Sequence, residues 1–139
     1  MSNEKTIFTR IIEGELPCHK MYEDEHVIAL LDIQPLTRGH TLVVPKEPAP
    51  SMDQLSSEAA SALGRSLPEI CRAVMDATGA VAYNLVQNNG HEAGMSIAHV
   101  HIHIIPRYSD STHSFLWEYG EIDHADASEL AKSISAALQ

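Results

Sequence analysis

Basic residues are scarce in this chain, and their scarcity excludes one large class of functions. Its 139 residues include 9 lysines and arginines against 19 aspartates and glutamates, a formal net charge of -10. A protein that coats DNA or RNA needs a basic face to replace the counterions of the phosphates. We therefore expect no nucleic-acid partner, although a small anionic ligand requires only local positive groups.

Cysteines and long apolar runs are also few. Cys18 and Cys71 lie far apart and in no Cys-x-x-Cys pair, so neither a disulfide framework nor a thiol-based zinc site is indicated. The longest purely apolar run near the N-terminus, Val27 to Leu31, is too short for a signal-peptide core or a membrane span. We expect a cytoplasmic protein without a membrane partner. Its length predicts a single domain over residues 1–139, with 108–139 as a C-terminal tail.

Three histidines alternate with β-branched residues in the second half of the chain. His99, His101 and His103 are separated by Val100 and Ile102, and on an extended backbone side chains two apart share one face. Two chemistries fit such a run of imidazoles. One is zinc binding with a further ligand. The other is nucleophilic catalysis, in which one ring nitrogen attacks phosphorus while a carbonyl holds the other as N–H. The spacing alone does not separate them.

The apolar pattern predicts an α+β fold: a five-stranded antiparallel sheet with one long helix and short terminal helices. The long helix is expected over Ser51–Thr78, and Pro68 should either kink it after Gly64 or split it into two helices. The last helix is expected to begin with a capping box at Asp126. The predicted strands cover residues 19–23, 27–32, 40–44 and 80–87 and the histidine run from residue 99.

The histidine run and its surroundings resemble the histidine triad family of nucleotide hydrolases and transferases. Beyond His99-Val100-His101-Ile102-His103-Ile104-Ile105, the likeness extends to residues 7–8, 14–17, 22–26, 31–33, 39–46 and 94–107. The resemblance implies a homodimer of α+β subunits that binds a purine nucleotide such as AMP or GMP and needs no cofactor.

The resemblance also implies a role for each matching residue. His101 matches the nucleophile, which takes the nucleotide onto its ring nitrogen before water releases it. His99 and His40 would orient it, while His103 would contact the phosphate or the leaving group. Asp32 matches the carboxylate that binds the ribose. The other matches are Asn88 at the phosphate, Ser96 at the phosphate and leaving group, and Phe8, Ile11 and Leu42 in the base pocket.

Some residues depart from the family pattern. Zinc-containing members carry Cys where this chain has Thr6 and Thr9, and His where it has Pro48, so only His99 of that set remains. Threonine hydroxyls are poor zinc ligands and proline has no side-chain donor, so we expect no structural zinc. Met95 stands where many members have Gln, which removes one polar contact to the leaving group.

The interpretation we favour is a metal-independent hydrolase of nucleoside 5′-monophosphate derivatives, phosphoramidates or adenylates, with a nucleotidyl-histidine intermediate. Ser96 matches the branch of the family that cleaves phosphoramidates, whereas the segment from His103 to Arg107 matches the branch that splits dinucleoside polyphosphates. A dinucleoside polyphosphate hydrolase is therefore an alternative. A second alternative is a nucleotide-binding interaction protein whose hydrolysis is incidental.

The strand predicted over Ala80–Gln87 gives a physical reason to expect the homodimer. Both of its faces are largely apolar, with Val81 and Leu85 on one of them, and an edge strand of this kind is a liability unless something pairs with it. Pairing across a two-fold axis would satisfy its open backbone groups. The alternative is that the C-terminal segment with Phe115 and Trp117 covers the edge within one chain.

Overall fold

A computed structural model describes residues 5–110 and 118–138 of the chain. Its helices and strands are α1 (Ile7–Ile12), β1 (Lys20–Glu23), β2 (Val27–Leu31), β3 (Thr41–Pro45), α2 (Ser57–Thr78), β4 (Ala82–Val86), β5 (Ile102–Arg107) and α3 (His124–Ala137). The strands form one antiparallel sheet in the order β1-β2-β3-β5-β4. The predicted α+β fold is confirmed. No helix in these ranges is long and apolar enough to cross a membrane.

The central strands β2 and β3 are buried on both faces. Along β2, Val27 and Ala29 pack with apolar residues of α2, whereas Ile28 and Leu30 pack with Phe8 of α1. This alternation follows from the strand backbone, which points successive side chains to opposite faces. The two helices therefore lie on opposite faces of the sheet.

The long helix differs from its prediction in two respects. It begins at Ser57 rather than at Ser51, because the hydroxyl of Ser56 accepts a hydrogen bond from the N–H of Ala59 and caps the first turn. The helix is continuous through Pro68, so the alternative of two separate helices is wrong.

The C-terminal helix α3 is capped by a different residue from the one predicted. The carboxylate of Asp123 accepts hydrogen bonds from the backbone N–H groups of Ala125 and Asp126. The capping box at Asp126 is therefore wrong, since Asp126 already lies in the first helical turn. None of the α3 residues is buried. Phe115 and Trp117, which were expected near the sheet edge, lie outside the described residues.

The regular strand β5 begins at Ile102, so the prediction that it starts at His99 is wrong. By the register of β3 and β5, a longer ladder would next place Val44 opposite His101 and then Pro45 opposite Val100. Pro45 has no N–H to donate, and its carbonyl accepts a hydrogen bond from the ring of His99 at 2.8 Å. The N–H of Val100 instead donates to the carbonyl of Ala49 at 2.9 Å. The first two histidines of the run therefore precede the ladder.

Candidate active site

A pocket of about 510 Å³ opens between α1 and the face of the sheet that carries Leu42 and its register partner His103. Apolar side chains of α1, β2 and β3 form much of its wall. Most of the predicted site residues line this pocket, namely Phe8, Ile11, Asp32, Leu42, Ser96, His101 and His103. His40 and His99 are buried next to these residues without lining the pocket.

The tautomer of His101 follows from its one backbone partner. Its Nδ1 lies 2.7 Å from the carbonyl oxygen of His99, which can only accept a hydrogen bond. Nδ1 therefore carries the hydrogen, and Nε2 keeps its lone pair. The side chain is buried, 6% exposed. A neutral imidazole in this form can act as a nucleophile or a proton acceptor at Nε2.

A chain of hydrogen bonds gives His103 the opposite tautomer. The backbone N–H of Leu36 donates to Nδ1 of His40 at 3.0 Å, so in the neutral ring the hydrogen of His40 is on Nε2. That Nε2 lies 2.9 Å from Nδ1 of His103 and donates to it. The remaining hydrogen of His103 is therefore on its Nε2. The pocket thus has an imidazole acceptor at His101 beside an imidazole donor at His103, with ring centroids 4.9 Å apart.

Burial favours the neutral form of His40, His99 and His103. It lowers the pKa of His103 to about 4, and the neighbouring His101 and His40 act in the same direction. Burial also lowers the pKa of His40, although the nearby carboxylate of Asp32 opposes it. The pKa of His99 is lowered for the same reason. All three rings are therefore neutral at pH 7, in agreement with the tautomers that the hydrogen bonds require.

His99, whose carbonyl accepts the hydrogen bond from His101, is 0% exposed. Its Nε2 donates to the carbonyl of Pro45 at 2.8 Å, so its Nδ1 must accept. The hydroxyl of Thr6 lies 2.8 Å from Nδ1, and that of Thr9 lies 3.5 Å away. Two of the positions that hold Cys in zinc-containing members therefore converge on this ring nitrogen, where they place hydroxyl groups.

One group of three side chains in the described ranges has the spacing of a metal site. Ligand atoms of Asp32, His40 and His103 lie within 4.8 Å of one another, and Asp32 Oδ2 is 3.5 Å from His40 Nε2. A cation would need the lone pair of that Nε2. Because Nδ1 of His40 accepts the N–H of Leu36, Nε2 carries the hydrogen instead. The hydrogen bonds therefore favour an imidazole pair over a metal centre.

The predicted phosphate residue Asn88 is not part of the pocket wall. It lies two residues after Val86, the last residue of β4, whose register partner is His103. Ser96, in contrast, lines the pocket on the segment that leads to the histidines. The structure thus brings Ser96 to the imidazoles and leaves Asn88 beside the pocket.

Sequence reasoning missed two groups of contributors. The first comprises backbone atoms, the N–H of Leu36 and the carbonyl of Pro45, which fix two tautomers and leave no mark in the sequence. The second is the pair of threonine hydroxyls, of Thr6 and Thr9, that lie near Nδ1 of His99. Thr6 is the N-cap of α1, so a threonine just before the first apolar helix was an available signal for a cap but not for its contact with His99.

The comparisons with known proteins agree with this architecture. A family model described as the HIT domain matches residues 13–110. The chain is 46% identical to the protein hit of Bacillus subtilis over 105 residues, 76% of this chain and 72% of that protein. Over 101 residues it is 44% identical to the adenosine 5′-monophosphoramidase of Schizosaccharomyces pombe, 73% of each chain. A crystal structure of a HIT family member from Bacillus subtilis matches with a TM-score of 0.92 at 38% identity, covering 98% of this chain and 99% of that one.

The sheet, the pocket and the run of histidines thus define a histidine triad protein. The chain belongs to the HIT family, as its resemblance predicted.

Proposed function

We propose that this protein is a nucleotide hydrolase that acts on nucleoside 5′-monophosphate derivatives, phosphoramidates or adenylates, through a nucleotidyl intermediate on His101. The observation that carries the proposal is the hydrogen bond from Nδ1 of His101 to the carbonyl of His99, because it leaves the Nε2 lone pair available for attack. The relative from Schizosaccharomyces pombe, named an adenosine 5′-monophosphoramidase, supports the same class of substrate.

In the first step Nε2 of His101 attacks phosphorus, and the bond from phosphorus to the leaving group breaks. The nucleotidyl-imidazole then carries a positive charge, which the His99 carbonyl stabilises by accepting from Nδ1–H. Water next attacks phosphorus and releases one proton to solvent, which balances the proton that an amine leaving group takes up from solvent in the first step. The bond between phosphorus and Nε2 breaks, and the imidazole leaves in its neutral form. His103 supports both steps by donating from its Nε2–H to a phosphoryl oxygen or to the leaving group.

The remaining pocket residues suit the other parts of a purine nucleotide such as AMP or GMP. Phe8, Ile11 and Leu42 supply an apolar wall for the base, and the carboxylate of Asp32 can accept hydrogen bonds from ribose hydroxyls. Ser96 also lines the pocket, and its hydroxyl can donate to a phosphoryl oxygen.

The charge of the pocket favours a substrate with one phosphoryl centre over a dinucleoside polyphosphate. Among the described residues that line the pocket, Asp32 is the one carboxylate and none is a lysine or an arginine. A polyphosphate chain carries several negative charges, which are usually met by lysine, arginine or a cation. A single phosphoryl group needs only neutral donors such as His103 and Ser96.

A direct test compares an adenosine 5′-phosphoramidate with a diadenosine polyphosphate as substrates. The wild-type protein should turn over the phosphoramidate faster, and mass spectrometry after acid quench should detect an adenylylated chain. His101→Ala should abolish both turnover and the adduct while AMP still binds, because the base and ribose contacts remain. A His101→Ala protein with near-normal kcat would show that the nucleophile is another group.

We further propose that the working unit is a homodimer formed through β4, the edge strand at one side of the sheet. Val81, Tyr83 and Leu85 are 66%, 43% and 48% exposed at this edge. The opposite edge strand, β1, carries the charged pair Lys20 and Glu23. Charged residues on an edge discourage strand pairing, whereas an apolar edge invites it, so β4 is the edge suited to a second copy.

A further inference from the structure

We propose that Thr6 is a positioning residue that holds the neutral ring of His99 by donating to its Nδ1 and ties α1 to the nucleophile. The proposal rests on the proposed function for its kinetic part, since it assigns how His101 is held. Thr6 makes no contact with the pocket in which the substrate would lie. It acts through the two groups that its hydroxyl joins.

The direction of each hydrogen bond at Thr6 follows from its partners. His99 Nε2 donates to the Pro45 carbonyl, so Nδ1 is an acceptor and the hydroxyl of Thr6, 2.8 Å away, must be the donor. The same oxygen accepts the backbone N–H of Thr9 at 3.2 Å, which caps the first turn of α1. One hydroxyl therefore donates to a buried imidazole and accepts from a helix N-terminus.

Both partners of this hydroxyl lead to His101. The His99 carbonyl holds Nδ1–H of His101 at 2.7 Å, so the placement of His99 determines the orientation of the nucleophile. From the other side, α1 carries Phe8, whose ring lies 5.7 Å from the ring of His99 and 4.9 Å from that of His101. Phe8 also lines the pocket. Thr6 thus fixes the positions of Phe8, in the pocket wall proposed for the base, and of the His101 ring relative to each other.

Four substitutions separate the two actions of the hydroxyl. Thr6→Ser keeps both hydrogen bonds, and Thr6→Val removes both. Thr6→Asp keeps the cap, because a carboxylate is a good N-cap acceptor, but it cannot donate to Nδ1 of His99. Thr9→Val is the comparison variant: it removes a hydroxyl 3.5 Å from Nδ1 of His99 and 3.3 Å from the Thr6 hydroxyl but leaves both hydrogen bonds of Thr6, to Nδ1 and from the backbone N–H of residue 9, in place.

The first readout is the protonation of His99, followed by ¹⁵N NMR of labelled histidine in each variant at neutral pH. We expect wild type, Thr6→Ser and Thr9→Val to show a protonated Nε2 and an unprotonated Nδ1. Thr6→Asp should show both nitrogens protonated, because only an imidazolium can donate from Nδ1 to the new carboxylate and still donate from Nε2 to the Pro45 carbonyl. Wild-type tautomers in Thr6→Asp would overturn the proposal. This readout needs no turnover, so it is independent of the proposed function.

The second readout is steady-state hydrolysis of the phosphoramidate together with AMP binding. Thr6→Val leaves a buried acceptor without its donor, and we expect kcat to fall by about tenfold or more while Thr6→Ser restores it. AMP affinity should fall less than kcat, because the ribose and base contacts remain. A Thr6→Val protein with wild-type kcat would overturn the proposal. If Thr6→Val does not fold, comparing the kcat of Thr6→Ser with that of Thr6→Asp tests the loss of the donor to His99 while the helix cap is kept.

Discussion

Mild acid should destabilise this fold, because it protonates imidazoles that the native state holds neutral. Burial lowers the pKa of His103 to about 4, whereas an imidazole in an unfolded chain titrates near 6.5. Between these values the unfolded chain binds a proton that the folded chain does not. The free energy of unfolding must therefore decrease as the pH falls through this window. The stabilising contribution of His103 is fully present above the unfolded pKa and is lost as the pH falls to the folded pKa.

The size of the effect follows from the shift at His103. A difference of one pKa unit corresponds to about 1.4 kcal/mol, so a fall from the ordinary value to about 4 implies a loss of roughly 3 kcal/mol. His40 and His99 have lowered pKa values from the same cause and add to the loss. For a domain of ordinary stability this is a substantial fraction of the whole.

Urea unfolding, followed by circular dichroism between about pH 7 and about pH 4, measures this dependence. His103→Gln is the matched variant, since its amide can accept from His40 Nε2–H and donate into the pocket but does not titrate. Over this window its free energy of unfolding should fall by roughly 3 kcal/mol less than that of wild type. His19→Gln, at an exposed position, is the control and should follow wild type. Equal slopes in wild type and His103→Gln would refute the reasoning.

Two further predictions concern zinc and the dimer. The hydroxyl of Thr6 donates a hydrogen bond to Nδ1 of His99, so purified protein should hold no stoichiometric zinc. Elemental analysis that finds one zinc per chain, lost together with activity in chelator, would contradict this. Sedimentation at low micromolar concentration should show a dimer that Val81→Lys or Leu85→Lys dissociates. Met21→Lys on the opposite edge strand β1 is the control and should remain a dimer. A wild-type protein that sediments as a monomer would contradict the proposed interface.

The run of histidines shows how far the sequence alone could lead. Its alternation predicted a strand, and β5 does hold His103 in register with Leu42 on the pocket face. The start of the strand was misplaced because alternation carries no information about competing hydrogen bonds. His101 Nδ1–H bonds to the preceding carbonyl of His99, and the ring of His99 takes the carbonyl of Pro45 that a ladder would otherwise use. Side chains that bond to the backbone thus delay the start of the strand until Ile102.

The chemistry of each histidine was beyond the reach of the pattern for a related reason. The alternation left zinc binding and nucleophilic attack equally open, and the resemblance alone assigned the roles. In the structure each tautomer follows from one hydrogen-bond partner, and for His99 and His103 that partner is far away in the chain. Leu36 fixes His40, which in turn fixes His103, and Thr6 joins His99 from the other end of the sequence. Such contacts depend on the fold, so only the folded chain shows which nitrogen donates and which accepts.

Burial, rather than charge, keeps the imidazoles of His40 and His103 neutral. The net charge of -10 and the carboxylate of Asp32 both favour protonated imidazoles, yet the pKa values of His40 and His103 are lowered, with burial as the largest cause. Distant charges are screened over about 10 Å at 0.1 M salt, whereas loss of hydration acts on the ring itself. A neutral ring is also the form whose nitrogen keeps a lone pair for attack. The acid sensitivity of the fold and the availability of neutral imidazoles at pH 7 therefore have one physical origin.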